Sequence, residues 1–511
     1  MIGGLTALTV WLRPPHAGAR PNAPSHPMTS TAGTDRTPHT PSTPGTSDTP
    51  HTPHTPGTSD TPHTPHTPVR ISADPFSFPM PGQHASEAEP AAYGHDDTVA
   101  ATFQVGRLRA GGSTAIGWAV WRHGVWRHGL LPGLTMAQTP PGPYTFISDP
   151  SVVYDAAHGL WLASSLAVAT GTRGRPRHTA VVVSRSHDGI RWGGTPNGHA
   201  YILVSDSGPS FYDKDWITCD DALGSRYYGH CYAAWDRSGR VDQLLMSAST
   251  DGGATWSPPV APADAPTGLG GQPVVQPDGT VIVPAYGEHR KGGAIIAFTS
   301  SDGGATWDAP VTVASVRAHE AAGGLRTEPL PSTAVDGAGR VYVAWQDCRF
   351  RPRCGANDIV LTSSTNGRAW SPVSRIPTDP IGGSAGHFIP GLSADPTTGG
   401  WSARLGLTYY GYPNATCTRQ TCALEARFVD SSDGGLTWSA SRRLGGPMRL
   451  SWLPQTTGGA FVGDYIATAF TGHRAVAIFP LARPPLVGFG RLDQAMDAAF
   501  LPVSPGTSAS P

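Results

Sequence analysis

The chain has 511 residues, a formal net charge of −1 and only 14% charged residues. Such a balance excludes a polybasic nucleic-acid surface and gives no electrostatic reason for membrane attraction. No apolar run approaches the ~18 residues that a membrane-spanning helix needs. Glycine at 63 and proline at 51 fit many short strands joined by turns. Lys214 and Lys291 are the only lysines, so arginine carries nearly all positive charge. GC-rich codon usage accounts for that bias, with a preference for anionic ligands as the second reading.

The chain opens on a short apolar stretch, Ile2 to Leu12, with no basic residues before it and prolines after it. That is a poorly defined secretion signal. Residues 1–90 read as a leader and a disordered low-complexity arm. TPHTP and PGTSDTP recur between Thr37 and Pro68 with almost nothing apolar to bury. Its histidines could chelate metal, but a stiff extended linker explains the composition better.

Residues 98–105 and 114–121 then read as strands. Five fuller units follow, with first strands DPSVVYD, DWITCDD, QPVVQPDG, PSTAVDG and PGLSADP. Each unit continues with a second strand, a variable loop, a third strand, a turn and a fourth strand. The turn repeats: STDGGATW ends at Trp256, SSDGGATW at Trp307 and SSDGGLTW at Trp438, with contracted copies ending at Trp192 and Trp370. Serine, an Asp or Asn and glycine after an apolar run cap backbone N–H groups and supply positive φ. A period of several strands per repeat indicates a propeller or a solenoid. Two last strands lie near Gly463 to Thr468 and Ala475 to Phe479, and 483–511 reads as a tail. The expected fold is all-β: a six-bladed β-propeller over 91–482, closed by N- and C-terminal strands joined in one blade.

Six cysteines form three close pairs, Cys219/Cys231, Cys348/Cys354 and Cys417/Cys422. Local pairs suit disulfides and an oxidising, extracellular compartment, and they lack the C-x₂-C spacing of zinc sites. No cofactor or metal ligand set is indicated, and calcium in a loop is left open. A closed ring with no long exposed edge suits a monomer.

The pattern S-x-D-(G)-G-x-T-W resembles the Asp box of the sialidase superfamily, which implies a β-propeller. Asp boxes are turns, so they indicate fold rather than activity. In a propeller blade the start of strand one shares a face with the loop between strands two and three. That face gathers Ile147 to Asp149, Phe211 to Trp216, Arg326 to Glu328, Gly386 to Phe388 and Val462 to Tyr465. Its loops add Arg173, Arg175, Arg177, Arg290, Arg349, Arg351 and Tyr409. The pairs Cys348/Cys354 and Cys417/Cys422 are expected to staple long loops on this same face, and Cys219/Cys231 to tie two strands of one blade. The run Phe211 to Trp216 suits either a sugar site or an inter-blade ion pair. Arg326 and Glu328 lie on one side of a strand, as a salt bridge or as an anion clamp with a base.

The resemblance implies three arginines on a substrate carboxylate, a Tyr activated by Glu as nucleophile, and an Asp acid/base, with retention. By role, Arg326, Arg349 and Arg351 are the clamps, Tyr465 the nucleophile, Glu328 its base, and Asp149 or Asp215 the acid/base. Lys214, Trp216, His387, Tyr409 and Asp464 complete the binding set. The family's Phe/Tyr-Arg-Ile-Pro motif is missing before Trp192; Arg375-Ile376-Pro377 carries the letters but follows the fourth repeat. The resulting expectation is a secreted glycoside hydrolase releasing a terminal acidic sugar from an acidic glycan. The alternatives are a lyase acting on a uronate polymer, with His387 or Tyr409 as base, and a non-catalytic binding propeller.

Overall fold

The computed structural model describes residues 57–59, 67–77, 79–171, 176–194, 198–208, 210–239, 242–289, 292–485 and 491–503. Runs such as Val341–Asp347 are buried along their whole length, because each sheet is covered by a neighbour on both faces. That is why RVYVAW is continuously apolar instead of alternating. Antiparallel strands follow one another in chain order, each pairing with its predecessor within a unit. Among the described residues, helix is confined to short 3-10 turns.

The described residues form seven such units. The first comprises Glu87–His95, Thr98–Arg107, Ser113–Arg122 and Val125–Leu130; the second runs from Phe146–Asp155 to Ile202–Asp206. A pairing of Ser113 with Ile147 joins these two. The third to sixth begin with Phe211–Cys219, Val274–Val275, Ser332–Val335 and Gly386–Ala394. The seventh comprises Ala467–Thr471, Arg474–Ala482 and Gln494–Pro502, with Val69–Arg70 as its outer strand. Each first strand contacts the first strand of the next unit, and Ala467–Thr471 contacts Glu87–His95. The first strands therefore form a closed ring about one axis.

The six-blade expectation is corrected to seven. The N-terminal unit does not share strands with Ala467–Thr471. It has its own first strand, EAEPAAYGH, which charge and proline disguise as part of the arm. The expected tail likewise contains Gln494–Pro502, hidden behind a Pro- and Gly-rich segment. Closure does use both chain ends, through Val69–Arg70 against Gln494–Pro502. Most of the expected arm, 1–56 and 60–66, lies outside the described residues.

The repeated turns form as their residues dictate. Ser249 Oγ donates to Asp251 Oδ1 at 2.9 Å and accepts from the Gly253 N–H at 3.0 Å, while Asp251 accepts from Thr255 N–H at 2.9 Å. The copies at 300–306 and 431–437 repeat these bonds. The Trp256, Trp370 and Trp438 indoles each donate to the carbonyl of the turn's last glycine.

All six cysteines pair as expected: Cys219 with Cys231, Cys348 with Cys354 and Cys417 with Cys422. Cys219 and Cys231 are register partners on adjacent strands of the third blade. Cys354 closes a tight turn in which its N–H donates to the Arg351 carbonyl at 3.1 Å. Cys422 is buried in the apolar core of the sixth and seventh blades, beside Leu424 and Leu450.

Candidate functional site

Four first strands carry the same distortion near their starts. The register slips between Ala88 and Ala91, Ser148 and Ser151, Asp213 and Trp216, and Phe388 and Gly391. Inside each bulge one non-glycine residue has positive φ: Glu89 at 54°, Asp149 at 46°, Lys214 at 52° and Ile389 at 54°. Such residues cost of order 1–3 kcal/mol each, and bulges re-aim side chains. Glu89, Asp149 and Lys214 thereby meet Asp464 of the seventh blade at one end of the axis.

The Lys214 ammonium pairs with Asp464 and lies 3.8 Å from Glu89 Oε1. Arg326 Nη2 donates to the same Asp464 oxygen at 2.5 Å. The Asp464 N–H donates to Glu89 Oε1 at 3.2 Å, and the Gln104 amide donates to Glu89 Oε2. Arg107 sits 3.9 Å from Glu89 Oε2, its guanidinium 4.2 Å from the Phe461 ring centroid. The backbone N–H of Lys214 is shared: it donates to Asp149 Oδ2 at 3.2 Å and to Asp213 Oδ1 at 3.1 Å. One donor thus holds two carboxyl groups side by side.

Burial alone would raise every carboxyl here, and the nearby cations decide which ones escape that fate. Against burial, Arg326 and Lys214 hold Asp464 far below the usual carboxylate range. Against burial again, Lys214 lowers Asp149. Asp213 goes the other way: burial, then repulsion from Asp149, push it well up. Burial, then Asp464, raises Glu328. Burial lifts Glu89 to about 8 even with Lys214 beside it. Asp149 and Asp213 are therefore an unequal pair, the first held down by Lys214 and the second pushed up.

Lys214 and Asp464 of this cluster also wall a narrow cavity of about 20 Å³, room for little more than a water, with Asp215, Trp216, Gln272, Leu330 and Tyr465. Trp216 also lines a larger cavity of about 450 Å³, walled by the first strands toward their far ends. The rings of Trp216 and Tyr465 meet edge-to-face at 5.4 Å.

The structure thus brings together Asp149, Lys214, Asp215, Trp216, Arg326, Glu328, Asp464 and Tyr465. It does not give Tyr465 a base. Its hydroxyl donates to the Pro150 carbonyl at 3.0 Å, and burial pushes the phenol far up. Asp215 is buried, which pushes its carboxyl well up, and it lines the narrow cavity beside Lys214 and Asp464.

Arg349 and Arg351 do not join Arg326 as a clamp. Arg349 is held by Asp347 within its own loop. Arg351 is buried on Asp358 and Asp379. His387 also meets Asp379, at 3.2 Å, and lies 5.5 Å edge-on to Tyr409, whose hydroxyl pairs with Ser441. These residues form a second cluster between the fifth and sixth blades. Asp358, Asp379 and His387 converge within 4.8 Å of one another, as metal ligands do. Arg351 and Arg375 already cover those carboxylates, so the residues do not fit a cation. Arg173, Arg175 and Arg290 lie outside the described residues.

The two loop disulfides lie as expected in loops between second and third strands at the end where the first strands begin: the His387 N–H donates to the Asn357 carbonyl at 2.9 Å and the Ala415 N–H to the Ser384 carbonyl at 2.7 Å. Cys348, Cys354, Cys417 and Cys422 line neither axial cavity. The Cys348–Cys354 bond braces the loop that turns Arg349 and Arg351 onto their own carboxylates. The Cys417–Cys422 bond packs toward Gly323, where a Cβ would come within 2.8 Å of the Cys422 sulfur. Cys219, by contrast, lines the larger cavity.

Glu89 and Arg107 were missed from sequence because their strands were assigned to the arm and to an incomplete unit. A signal existed: Glu89-Pro90, Asp149-Pro150, Gln272-Pro273, Leu330-Pro331 and Ile389-Pro390 recur at the starts of five first strands.

Residues 227–388 match the BNR repeat-like domain. No curated protein matches the chain. Among solved structures, similarity extends to a sialidase Hz136 described as Hadza microbial, at 16% identity over 76% of this chain and 74% of that one, with a TM-score of 0.44. The NanB sialidase of Streptococcus pneumoniae gives 13% identity, 85% and 71% coverage, and a TM-score of 0.41. An ulvan lyase of polysaccharide lyase family PL25 gives 13%, 85% and 96%, with a TM-score of 0.47. The repeats that frame residues 227–388 continue on both sides of them, and the chain resembles the sialidase superfamily of BNR-repeat proteins.

Proposed function

We propose that this protein hydrolyses glycosidic bonds at the axial mouth built by Asp149, Asp213, Arg326 and Glu328. The observation that carries the reading is the single Lys214 N–H shared by Asp149 and Asp213. Glycosidic cleavage needs one carboxyl that keeps its proton to protonate the leaving oxygen, and another that stays ionised. Asp213 suits the first role and is the less enclosed of the pair. Glu328, partly exposed and with Arg326 and Lys214 opposing the burial that raises its carboxyl, suits the second, as nucleophile or as the base for water.

The Tyr465 nucleophile drawn from the resemblance is not part of this proposal. Its hydroxyl is occupied by a backbone carbonyl and no carboxylate accepts from it among the described residues. Three disulfides favour an extracellular location, and no described helix is long and apolar enough to cross a membrane.

The test is incubation with oligosaccharides ending in neutral sugars, with sialyl-lactose and with a uronate polymer. New reducing ends without an ultraviolet-absorbing unsaturated product support hydrolysis. An unsaturated product would replace this reading with the lyase, and silence on every substrate with the binding propeller.

A further inference from the structure

We infer that Asp236 is a positioning residue for Asp213: from the neighbouring strand it offers a hydrogen-bond donor to the carboxylate left when Asp213 gives up its proton. The inference rests on the acid role proposed for Asp213 and is tested separately from it.

The placement follows from the strand pairing. Asp213 and Asp236 are register partners across Phe211–Cys219 and Cys231–Ser238. Opposite side chains in an antiparallel pair share a face, with Cβ atoms about 4.5–5.5 Å apart. Asp236 is 1% exposed, and among the described residues neither of its carboxyl oxygens has a hydrogen-bond partner. The charged groups that face it are Asp213, Asp242, Lys214 and Asp149. Lys214 alone opposes the burial that pushes the Asp236 carboxyl well up, and its ammonium is already paired with Asp464. Asp149, Asp213 and Asp236 therefore stand together on three strands, and the last is the most enclosed and the least engaged.

A protonated carboxyl so placed has a use. In the resting site a hydrogen bond between Asp213 and Asp149 raises the first and lowers the second. Once the Asp213 proton has passed to a leaving oxygen, that bond has lost its hydrogen and two carboxylates lie side by side. Each then disfavours the charge on the other. The Asp236 O–H, engaged with nothing, can donate across the register to Asp213 while keeping its own proton. A donor to the charged form makes Asp213 the stronger acid.

The experiment is an infrared titration of protonated carboxyl bands in full-length wild type, Asp213→Asn, Asp236→Asn and Asp236→Leu. Asp213→Asn identifies the Asp213 band by its loss. In Asp236→Leu that band should persist to a pH higher by about one unit or more, since a hydrogen bond to the charged form is gone. Asp236→Asn keeps a donor of similar size and should leave the band where wild type has it. No shift in Asp236→Leu, a downward shift, or an equal upward shift in Asp236→Asn would overturn the inference.

Asp236→Leu and the smaller Asp236→Val should melt no lower than wild type, because they remove a buried carboxyl that nothing else holds. If only the valine variant folds, it carries the titration; if both melt lower, Asp236 has a structural partner and the inference falls. Hydrolysis adds a second reading. A general acid loses its proton as pH rises through its pKa, so the alkaline limb of kcat/KM should move upward in Asp236→Leu together with the band. Wild type that cleaves nothing, with the Asp213 band still shifting on Asp236→Leu, would end the hydrolase reading and leave this pairing intact.

Discussion

At the scale of single residues the proposed chemistry rests on Asp213, which one backbone N–H draws beside Asp149 and whose carboxyl burial and Asp149 push up, while the Lys214 ammonium holds Asp149 down. Replacing Asp213 with Asn keeps the shape and removes the transferable proton. The rate of glycosidic cleavage should fall about 10²- to 10⁴-fold, most for poor leaving groups, as general-acid loss does; kinetics on aryl glycosides of graded leaving-group pKa reads this directly. Tyr465→Phe should change the rate little, since it deletes only a bond to the Pro150 carbonyl. A loss as large as that of Asp213→Asn would restore the tyrosine to the mechanism. Lys214→Met removes one partner of a fully buried Asp464. Arg326 still pairs with that carboxylate, so the variant should destabilise the fold by about 1–3 kcal/mol, the cost of losing one of two hydrogen-bonded cations, and urea unfolding measures it.

At the scale of the element, turn and bulge divide the work. Gly304 lies at φ 84°, where a Cβ would meet the Tyr232 ring at 2.9 Å and the Ala248 Cβ at 3.0 Å. Gly304→Ala should therefore cost more than about 1 kcal/mol without touching activity, as a shifted melting temperature at unchanged kcat/KM would show. The turns were legible in the sequence because their chemistry is local: serine, Asp and glycine a few residues apart make the same bonds in every full copy. The cysteine pairs, and the end of the blades at which the Cys348–Cys354 and Cys417–Cys422 loops lie, were legible for the same reason. The bulges were hidden. Whether Glu89 faces the axis depends on a one-residue slip against Gln104 and Thr102 on the neighbouring strand, and nothing within AEPAAY fixes that register. Proline after Glu89, Asp149 and Ile389 hinted at irregular strand starts, but Lys214 has the same bulge followed by aspartate. The pairing of Arg351 with Asp358 and Asp379 was equally hidden, since it joins a stapled loop to a strand and to a loop 28 residues on.

Over the whole molecule, the ring's closure decides both blade number and site. The sequence indicated that the two chain ends meet, yet it undercounted blades because the flanking strands are the least regular in composition. Glu87 marks the seam: its carboxyl accepts from Ser72 and, at 2.8 Å, from the Met496 N–H, joining the first strand to both chain ends. Burial lifts its folded-state pKa from 4.5 to about 8. The folded protein then binds the proton more tightly than the unfolded chain, so this stabilising contribution is full below pH 4.5 and lost as pH rises through about 8. Glu87→Gln cannot ionise and should flatten the decline, which thermal melts at acidic and alkaline pH compare.

The central claim is that the strand starts at the mouth deliver Asp213, its carboxyl pushed up beside Asp149, together with Glu328 to cleave a glycosidic bond. It is tested most directly by the initial rate of reducing-end release from the mixed oligosaccharide panel, measured for wild type and Asp213→Asn. The account predicts measurable release by wild type and a loss of about 10² or more in a variant that melts normally. Equal rates from the two proteins, or no release by either, would contradict it.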